Sequence, residues 1–273
     1  MLQLKGMDLG GVSIAGIETC IELPSWKLCF DIGKSRASAV RLPRILFTHG
    51  HSDHMGAIVA HCATRSLQGM KPPDYYVPAE NFEAVGELFD VWRRLDGSEL
   101  ACNLHPVAPG DRFELGPTRF AKVFRSIHRV PTLGYGLFSS KNRLRPEFKG
   151  ASSEEIRQAR QGGHEVTDVV EHCELAFCGD TTIQVLQREE IPRTARVLVL
   201  EMSFLDDRVS PAKAAAKGHV HLDDVIEHAD LFENEVIVAT HFSARYRHDE
   251  VRSILKRRLP ASLKDRVIPL LPS

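Results

Sequence analysis

Within six residues the chain places three histidines and an aspartate, His49-Gly50-His51-Ser52-Asp53-His54. Two imidazoles two positions apart in extended chain can both reach one ion. A carboxylate and an imidazole opening the next helix, Asp53 and His54, can reach a second. Imidazole and carboxylate together suit zinc, and iron or manganese less selectively. The chain holds 13 histidines, so the question is which others join this block. His128, Asp180 and His241 each follow a short candidate strand, at 120–127, 175–178 and 236–240. A carboxylate has two oxygens and can bridge two ions, and Asp180 is placed for that. Two ions about 3.5–4 Å apart would activate a water and clamp a phosphoryl or acyl oxygen. A single histidine at a strand end is usually a surface residue. A block this dense after a buried strand is not what a solvated turn contains.

The apolar runs are the elements that must position these groups. Residues 44–48, 120–127, 175–178, 197–200 and 236–240 read as strands, and the last three, apolar throughout, as strands covered on both faces. In α/β sheets the chemistry gathers beyond the carboxyl ends of strands. If these strands lie side by side, the seven candidate ligands meet at one edge. Residues 12–23 and 28–32 read as a strand pair around Pro24-Ser25-Trp26-Lys27, with further strands at 75–77 and 113–115. A helix is expected from Asp53 through Cys62. Residues 79–95 read as an amphipathic helix ended by Gly97, with Phe82, Val85, Leu88, Phe89, Trp92 and Leu95 as a core-facing stripe. Ser152-Ser153-Glu154-Glu155 is a capping box, and Gly162 and Gly163 stop the helix it opens. Helices at 222–232 and 250–259 complete an α/β architecture, sheets sandwiched by helices.

Composition narrows the function. The chain has 273 residues, is 43% hydrophobic and 26% charged, and carries a formal net charge of −1. This excludes a mainly disordered or collagen-like chain and a generally basic nucleic-acid binder, though not a local basic patch. No apolar run reaches the roughly 18–20 residues of a membrane span. The six cysteines form no CxxC pair, and Cys173 and Cys178 read as core or edge thiols. The first residues carry no secretory pattern, so a reducing, cytoplasmic setting is expected.

The motif T-H-G-H-S-D-H at 48–54 resembles the signature of the metallo-β-lactamase superfamily, and F-D-I-G at 30–33, with Asp31, resembles its earlier structural motif. Within it, His128 followed by Gly134-Tyr135-Gly136, F-C-G-D-T-T at 177–182, L-E-M-S-F at 200–204, Gly218-His219 and H-F-S-A-R-Y at 241–246 resemble ribonuclease Z, the endonuclease that trims 3′ trailers from tRNA precursors. The likeness runs from about residue 10 to about residue 258. It is nearest to the short plant form, as A-T-R-S-L-Q-G-M-K-P-P at 63–73 and F-L-D-D at 204–207 indicate. It implies one αββα domain over 1–273, two mixed sheets flanked by helices. It implies two zinc ions, with manganese as the alternative. His49, His51 and His128 would hold one, Asp53, His54 and His241 the other, with Asp180 bridging. Water between them would attack the phosphodiester, with Asp53 orienting or deprotonating it. His219, oriented by Glu201, would hand a proton to the leaving 3′ oxygen. Arg245, with Ser243 beside it, would pair with phosphate. The resemblance also implies precursor tRNA as substrate and a homodimer.

In the bacterial members of this family an arm rich in glycine, proline and basic residues grips tRNA. Here 139–163 is a shortened counterpart with Lys141, Arg143, Arg145, Lys149, Arg157 and Arg160 but no Gly-Pro dipeptide. Its charge, against a near-neutral chain, points to contact with RNA phosphates. Arg65 and Lys71 are further candidate RNA contacts where the acceptor stem would enter. The family usually reads G-H-S-T where this chain reads G-H-V-H at 218–221, so His221 is an extra histidine, expected at a helix start on the rim. His61, His105, His164, His172, His228 and His248 are expected to be structural or solvated. Two other functions compete: hydrolysis of small phosphodiesters, thioesters or similar esters, and a non-catalytic RNA- or protein-binding module. Arg245 and the Glu201/His219 pair weigh against the first, and the complete ligand set against the second.

Overall fold

The computed structural model describes residues 1–4 and 6–271. Its strands form two sheets. The order across the first is Leu2–Leu4, Met7–Ala15, Glu18–Leu23, Leu28–Phe30, Arg44–Leu46, Asp74–Pro78 and Asn103–Val107, with Phe242–Ser243 also pairing to Met7–Ala15. The order across the second is Val267–Pro269, Val236–Thr240, Val197–Glu201, Thr167–Phe177, Thr132–Leu144, Arg119–Ser126 and Arg112–Gly116. Both sheets are mixed. From Leu28–Phe30 to Asn103–Val107 the first is parallel, and so is the second from Thr167–Phe177 to Val267–Pro269.

The period of two along each strand sorts side chains into three layers. Leu46, Phe30, Val197, Val199 and Val238 meet Tyr135, Leu137 and Leu175 between the sheets. Leu198, Leu200, Ile237 and Ala239 point the other way, onto Val225, Ile254 and Leu255 of the covering helices. On the far face of the first sheet, Ile45, Phe47, Tyr75 and Val77 pack under Ile58, Cys62, Val85 and Phe89. Each fully buried aliphatic side chain contributes roughly 1.5–3 kcal/mol of transfer free energy. The expected α/β sandwich, helix–sheet–sheet–helix, is therefore observed. Its parallel stretches turn strand carboxyl ends toward one edge.

Local departures have physical causes. Residues 12–23 are not one strand: the chain turns at Gly16, whose φ of 70° suits glycine, and Met7–Ala15 pairs back on Glu18–Leu23. The helix expected from Asp53 to Cys62 is two, Ser52–Met55 and Ile58–Leu67. The expected 79–95 helix opens as a 3₁₀ turn, Ala79–Asn81, and continues as Phe82–Asp96. Its stripe is only partly core: Val85 and Phe89 are buried, but Leu88, Trp92 and Leu95 are exposed. The helix expected at 222–232 ends at Glu227 and is followed by a 3₁₀ turn, Ala229–Leu231. A long hairpin, Thr132–Leu144 against Thr167–Phe177, carries the 139–163 segment at its tip. No helix among the described residues is long and apolar enough to cross a membrane.

Candidate metal centre

Strand Arg44–Leu46 delivers Thr48 and His49 to the edge between the sheets, and His51 leads directly into helix Ser52–Met55 with Asp53 in its first turn. The second sheet contributes His128 beyond Arg119–Ser126, Asp180 beyond Thr167–Phe177, Glu201 at the end of Val197–Glu201 and His241 after Val236–Thr240. All seven sequence-predicted ligands therefore meet. His49, His51, His128 and Asp180 offer ligand atoms within 4.8 Å of one another, and so do Asp53, His54 and His241. Asp180 stands between these two groups. One of its oxygens lies 3.3 Å from both His54 Nε2 and His241 Nε2. The other lies 3.9 Å from His49 Nε2.

Hydrogen bonds behind the rings decide which nitrogens face inward. His54 donates from Nδ1 to Asp31 at 2.8 Å. Asp31 also accepts from the Thr48 amide at 2.7 Å and the Thr48 hydroxyl at 2.8 Å. His49 Nδ1 meets Thr48 Oγ1 at 2.9 Å. His128 donates from Nδ1 to the Gly218 carbonyl at 2.8 Å, and His241 Nδ1 meets Ser203 Oγ at 3.1 Å. Each of these four rings keeps Nε2 for the centre, whereas His51 points Nδ1 there, 2.9 Å from His49 Nε2. Nε2 of His128 and of His241 are buried without a hydrogen-bond partner among the described residues. Buried polar atoms are otherwise almost always satisfied. Two orphaned imidazole nitrogens aimed at a carboxylate-lined space are what a cation-binding set requires, so the residues fit a two-metal centre. Asp31 and His241 adopt φ of 56° and 58° here, conformations that persist only where the surroundings hold them.

Glu201 sits beside the centre, 2% exposed. Its Oε1 accepts from His219 Nδ1 at 2.7 Å and from the Thr181 amide at 2.9 Å, and its Oε2 accepts from Ser203 Oγ at 2.6 Å. Burial disfavours a charged His219 ring, but the Glu201 carboxylate outweighs it and raises the His219 pKa above the usual value. Thr48 and Ser203 were missed as functional residues from sequence. Ser203 is the serine of L-E-M-S-F, two after Glu201, and that adjacency was the available signal.

Residues 26–242 match the model of the β-lactamase superfamily domain. The chain is 40% identical to tRNase Z TRZ1 of Arabidopsis thaliana over 98% of this chain and 96% of that one. The chain belongs to the tRNase Z family. It is also 36% identical to the nuclear ribonuclease Z of Triticum aestivum, over 62% of this chain and 96% of that protein. The crystal structure of human tRNase Z, short form, covers 87% of this chain and 91% of its own, with a TM-score of 0.56 at 20% identity, a likeness of fold.

The remaining predicted positions of this tRNase Z-family chain divide. Arg245 is exposed and its guanidinium has no partner among the described residues, and Ser243, half-buried, accepts from the Arg245 amide. Lys141, Arg143 and Lys149 are exposed on the hairpin extension. Arg145 is spent on Glu165 and Asp168, and Arg157 on Glu154. Glu147, Glu154 and Glu155 also lie within 139–163, so the six basic residues leave a net charge of only +3. Arg65 as an RNA contact is corrected: it is 4% exposed, and its guanidinium donates to the carbonyls of Val40, Leu42 and Lys71. Lys71 itself is exposed. His221 does start a helix, accepting from the Asp223 amide, but it is fully buried and not at the rim. None of His61, His105, His164, His172, His228 and His248 joins the ligand groups among the described residues.

Proposed function

We propose that this chain is a metal-dependent endoribonuclease that removes the 3′ trailer of tRNA precursors and leaves a 3′-hydroxyl on the tRNA. The observation that carries the reading is Asp180, turning one oxygen to His54 and His241 and the other to His49, with the Glu201–His219 pair alongside. Two zinc ions, or manganese, would be held by His49, His51 and His128 on one side and Asp53, His54 and His241 on the other, with Asp180 shared. Bound there, they would supply charge stabilisation and an activated water for phosphodiester hydrolysis. The chain's own residues do the rest. Asp53, whose Oδ2 accepts the Gly16 amide at 2.9 Å, orients the attacking water. Glu201 holds the His219 Nδ1 proton, which leaves Nε2 to protonate the departing 3′ oxygen, and the Glu201 carboxylate favours the protonated ring. Arg245, beside Ser243, pairs with a phosphate through its fork of donors. Lys141, Arg143 and Lys149 stand on the hairpin at the far end of its strands from Asp180, where they would contact RNA held by a second copy, and Lys71 is a further RNA contact.

We also propose that two chains pair. Leu88, Val91, Trp92 and Leu95 are exposed on one helix, an apolar face that a second copy would cover. A sedimentation mass near twice 30.5 kDa is expected, and a monomer at working concentration refutes it. The proposed compartment is cytoplasmic. Imaging the tagged protein tests this, and nuclear signal would overturn it.

The deciding assay offers purified protein and zinc or manganese a 3′-extended tRNA precursor, beside bis-p-nitrophenyl phosphate and a thioester. A single cut at the trailer junction, lost with chelator and with His54→Ala, is expected. Turnover of the small esters alone would sink the tRNA reading.

A further inference from the structure

We propose that Arg129 is a second phosphate-binding arginine that holds the RNA backbone beside His219, on the leaving-group side of the cut. The inference rests on the endoribonuclease reading above and adds a positioning residue to it.

Arg129 directly follows His128. The His128 ring lies 5.1 Å from that of His219, centroid to centroid, and its Nδ1 is bonded to the Gly218 carbonyl. The Arg129 amide nitrogen stands 3.1 Å from where a Cβ on Gly218 would be. Arg129 and His219 therefore flank one contact between two loops, at the edge of the centre. Arg245 comes from the loop after His241, whose ring lies 5.5 Å from that of His219. The two arginines therefore approach His219 on different loops.

The Arg129 side chain is exposed and has no hydrogen bond or ion pair among the described residues. Its positive charge is felt by both His51 and His219, where it disfavours protonation. An exposed guanidinium with no internal partner keeps its fork of donors for an anion. Other arginines of this chain show the contrast: Arg145, Arg196, Arg208 and Arg258 all face carboxylates. The anion that suits a fork of donors in a nuclease is a phosphodiester oxygen pair.

Chemistry then fixes which phosphate. His219 gives its proton to the 3′ oxygen of the last retained nucleotide, so that nucleotide lies against His219. Arg129, beside His219, meets the phosphate on the 5′ side of the same nucleotide. Bis-p-nitrophenyl phosphate has no such neighbour.

The test compares R129Q, R129K and wild type, all zinc-loaded, on a tRNA precursor and on bis-p-nitrophenyl phosphate. A precursor with a neutral methylphosphonate at that one phosphate completes the set. R129Q is expected to lose about tenfold to a hundredfold in kcat/KM on the precursor, mostly through KM, as for one charged hydrogen-bonded pair. That loss should exceed its loss on the small diester at least tenfold, and R129K should recover part of it. The methylphosphonate should slow wild type and slow R129Q no further. Equal losses on both substrates would place Arg129 in the proton relay or the fold and overturn the proposal. So would R129Q matching an active wild type. A wild type that leaves the precursor uncut overturns the function beneath it, a result separate from either.

Discussion

Acidification from pH 7.5 to 4 should remove stability from this protein that a His61→Gln variant does not lose. His61 is fully buried, its Nδ1 facing the Tyr75 hydroxyl at 2.7 Å and its Nε2 the Ala39 carbonyl at 3.3 Å. Burial pushes its pKa down from 6.5 to about 4. The nearby Arg65 charge adds to this, and the Ala39 carbonyl opposes it. The ring is therefore neutral in the fold at neutral pH, while the unfolded chain takes up a proton below about 6.5. Stability from this group is complete above that value, declines as pH falls, and is exhausted below about 4. The gap corresponds to about 3 kcal/mol. Urea unfolding at a series of pH values, extrapolated to water, measures it. The histidines of the metal centre titrate alike in both proteins and cancel in the difference. Wild type minus variant should shrink by about 3 kcal/mol between pH 7.5 and 4. A constant difference would refute the assignment of His61 as a neutral buried group.

Three further outcomes follow from the centre. Asp180→Ala removes the carboxylate that faces both ligand groups. It should strip bound metal and cost more than the roughly hundredfold that losing an outer partner can cost. Metal analysis showing both ions, with most of the rate retained, would break the two-metal reading. Glu201→Gln removes the charge that raises the His219 pKa. The alkaline limb of the cleavage profile should shift to lower pH and kcat should fall about a hundredfold. An unmoved limb would show that His219 is not the acid. Gly218→Ala puts a methyl 2.5 Å from His128 Nδ1 at a φ of 78°. It should cost about 1–2 kcal/mol from backbone strain, with a lower melting temperature and less than full metal content. Unchanged values of both would refute the close packing of Gly218 on His128.

The ligands were legible in the sequence because each group follows a strand; parallel pairing brings the ends before Asp180 and His241 to one edge, while His128 arrives on an antiparallel strand. What holds them was less legible. Asp31 was visible in F-D-I-G, but the Gly218 carbonyl behind His128 is backbone and has no residue type to mark it. Along 82–95 the period identifies a face without saying what covers it, so Leu88, Trp92 and Leu95 were assigned to a core that ends at Val85 and Phe89. The outer half of strand Thr167–Phe177 escaped notice because it projects past the core. It is held there by ladder hydrogen bonds to Thr132–Leu144, not by burial. His221 shows the same limit: the sequence marks a helix start, while its depth depends on what packs over it.

The arginines make the general point. By sequence Arg65 follows the ligand-bearing helix and is as good an RNA contact as any. In the fold its neighbours are carbonyls of Val40, Leu42 and Lys71, and it is consumed by them. Arg145, on the basic hairpin, is consumed by two carboxylates. Arg129 and Arg245 each follow a predicted ligand, are exposed and have no internal partner among the described residues. A buried cation answered by carbonyls, as Arg65 is, has nothing left to offer a ligand, while an exposed ion pair such as that of Arg145 only competes with one. A cation left unanswered beside a cluster of imidazoles and carboxylates keeps its full capacity for phosphate. Partner supply separates the two kinds, and supply is a property of the packed chain. Removing the internal partners of Arg145, as in Glu165→Gln with Asp168→Asn, should therefore strengthen RNA binding and steepen its salt dependence by about one ion. A salt slope equal to wild type would contradict this account of which arginines are free to bind.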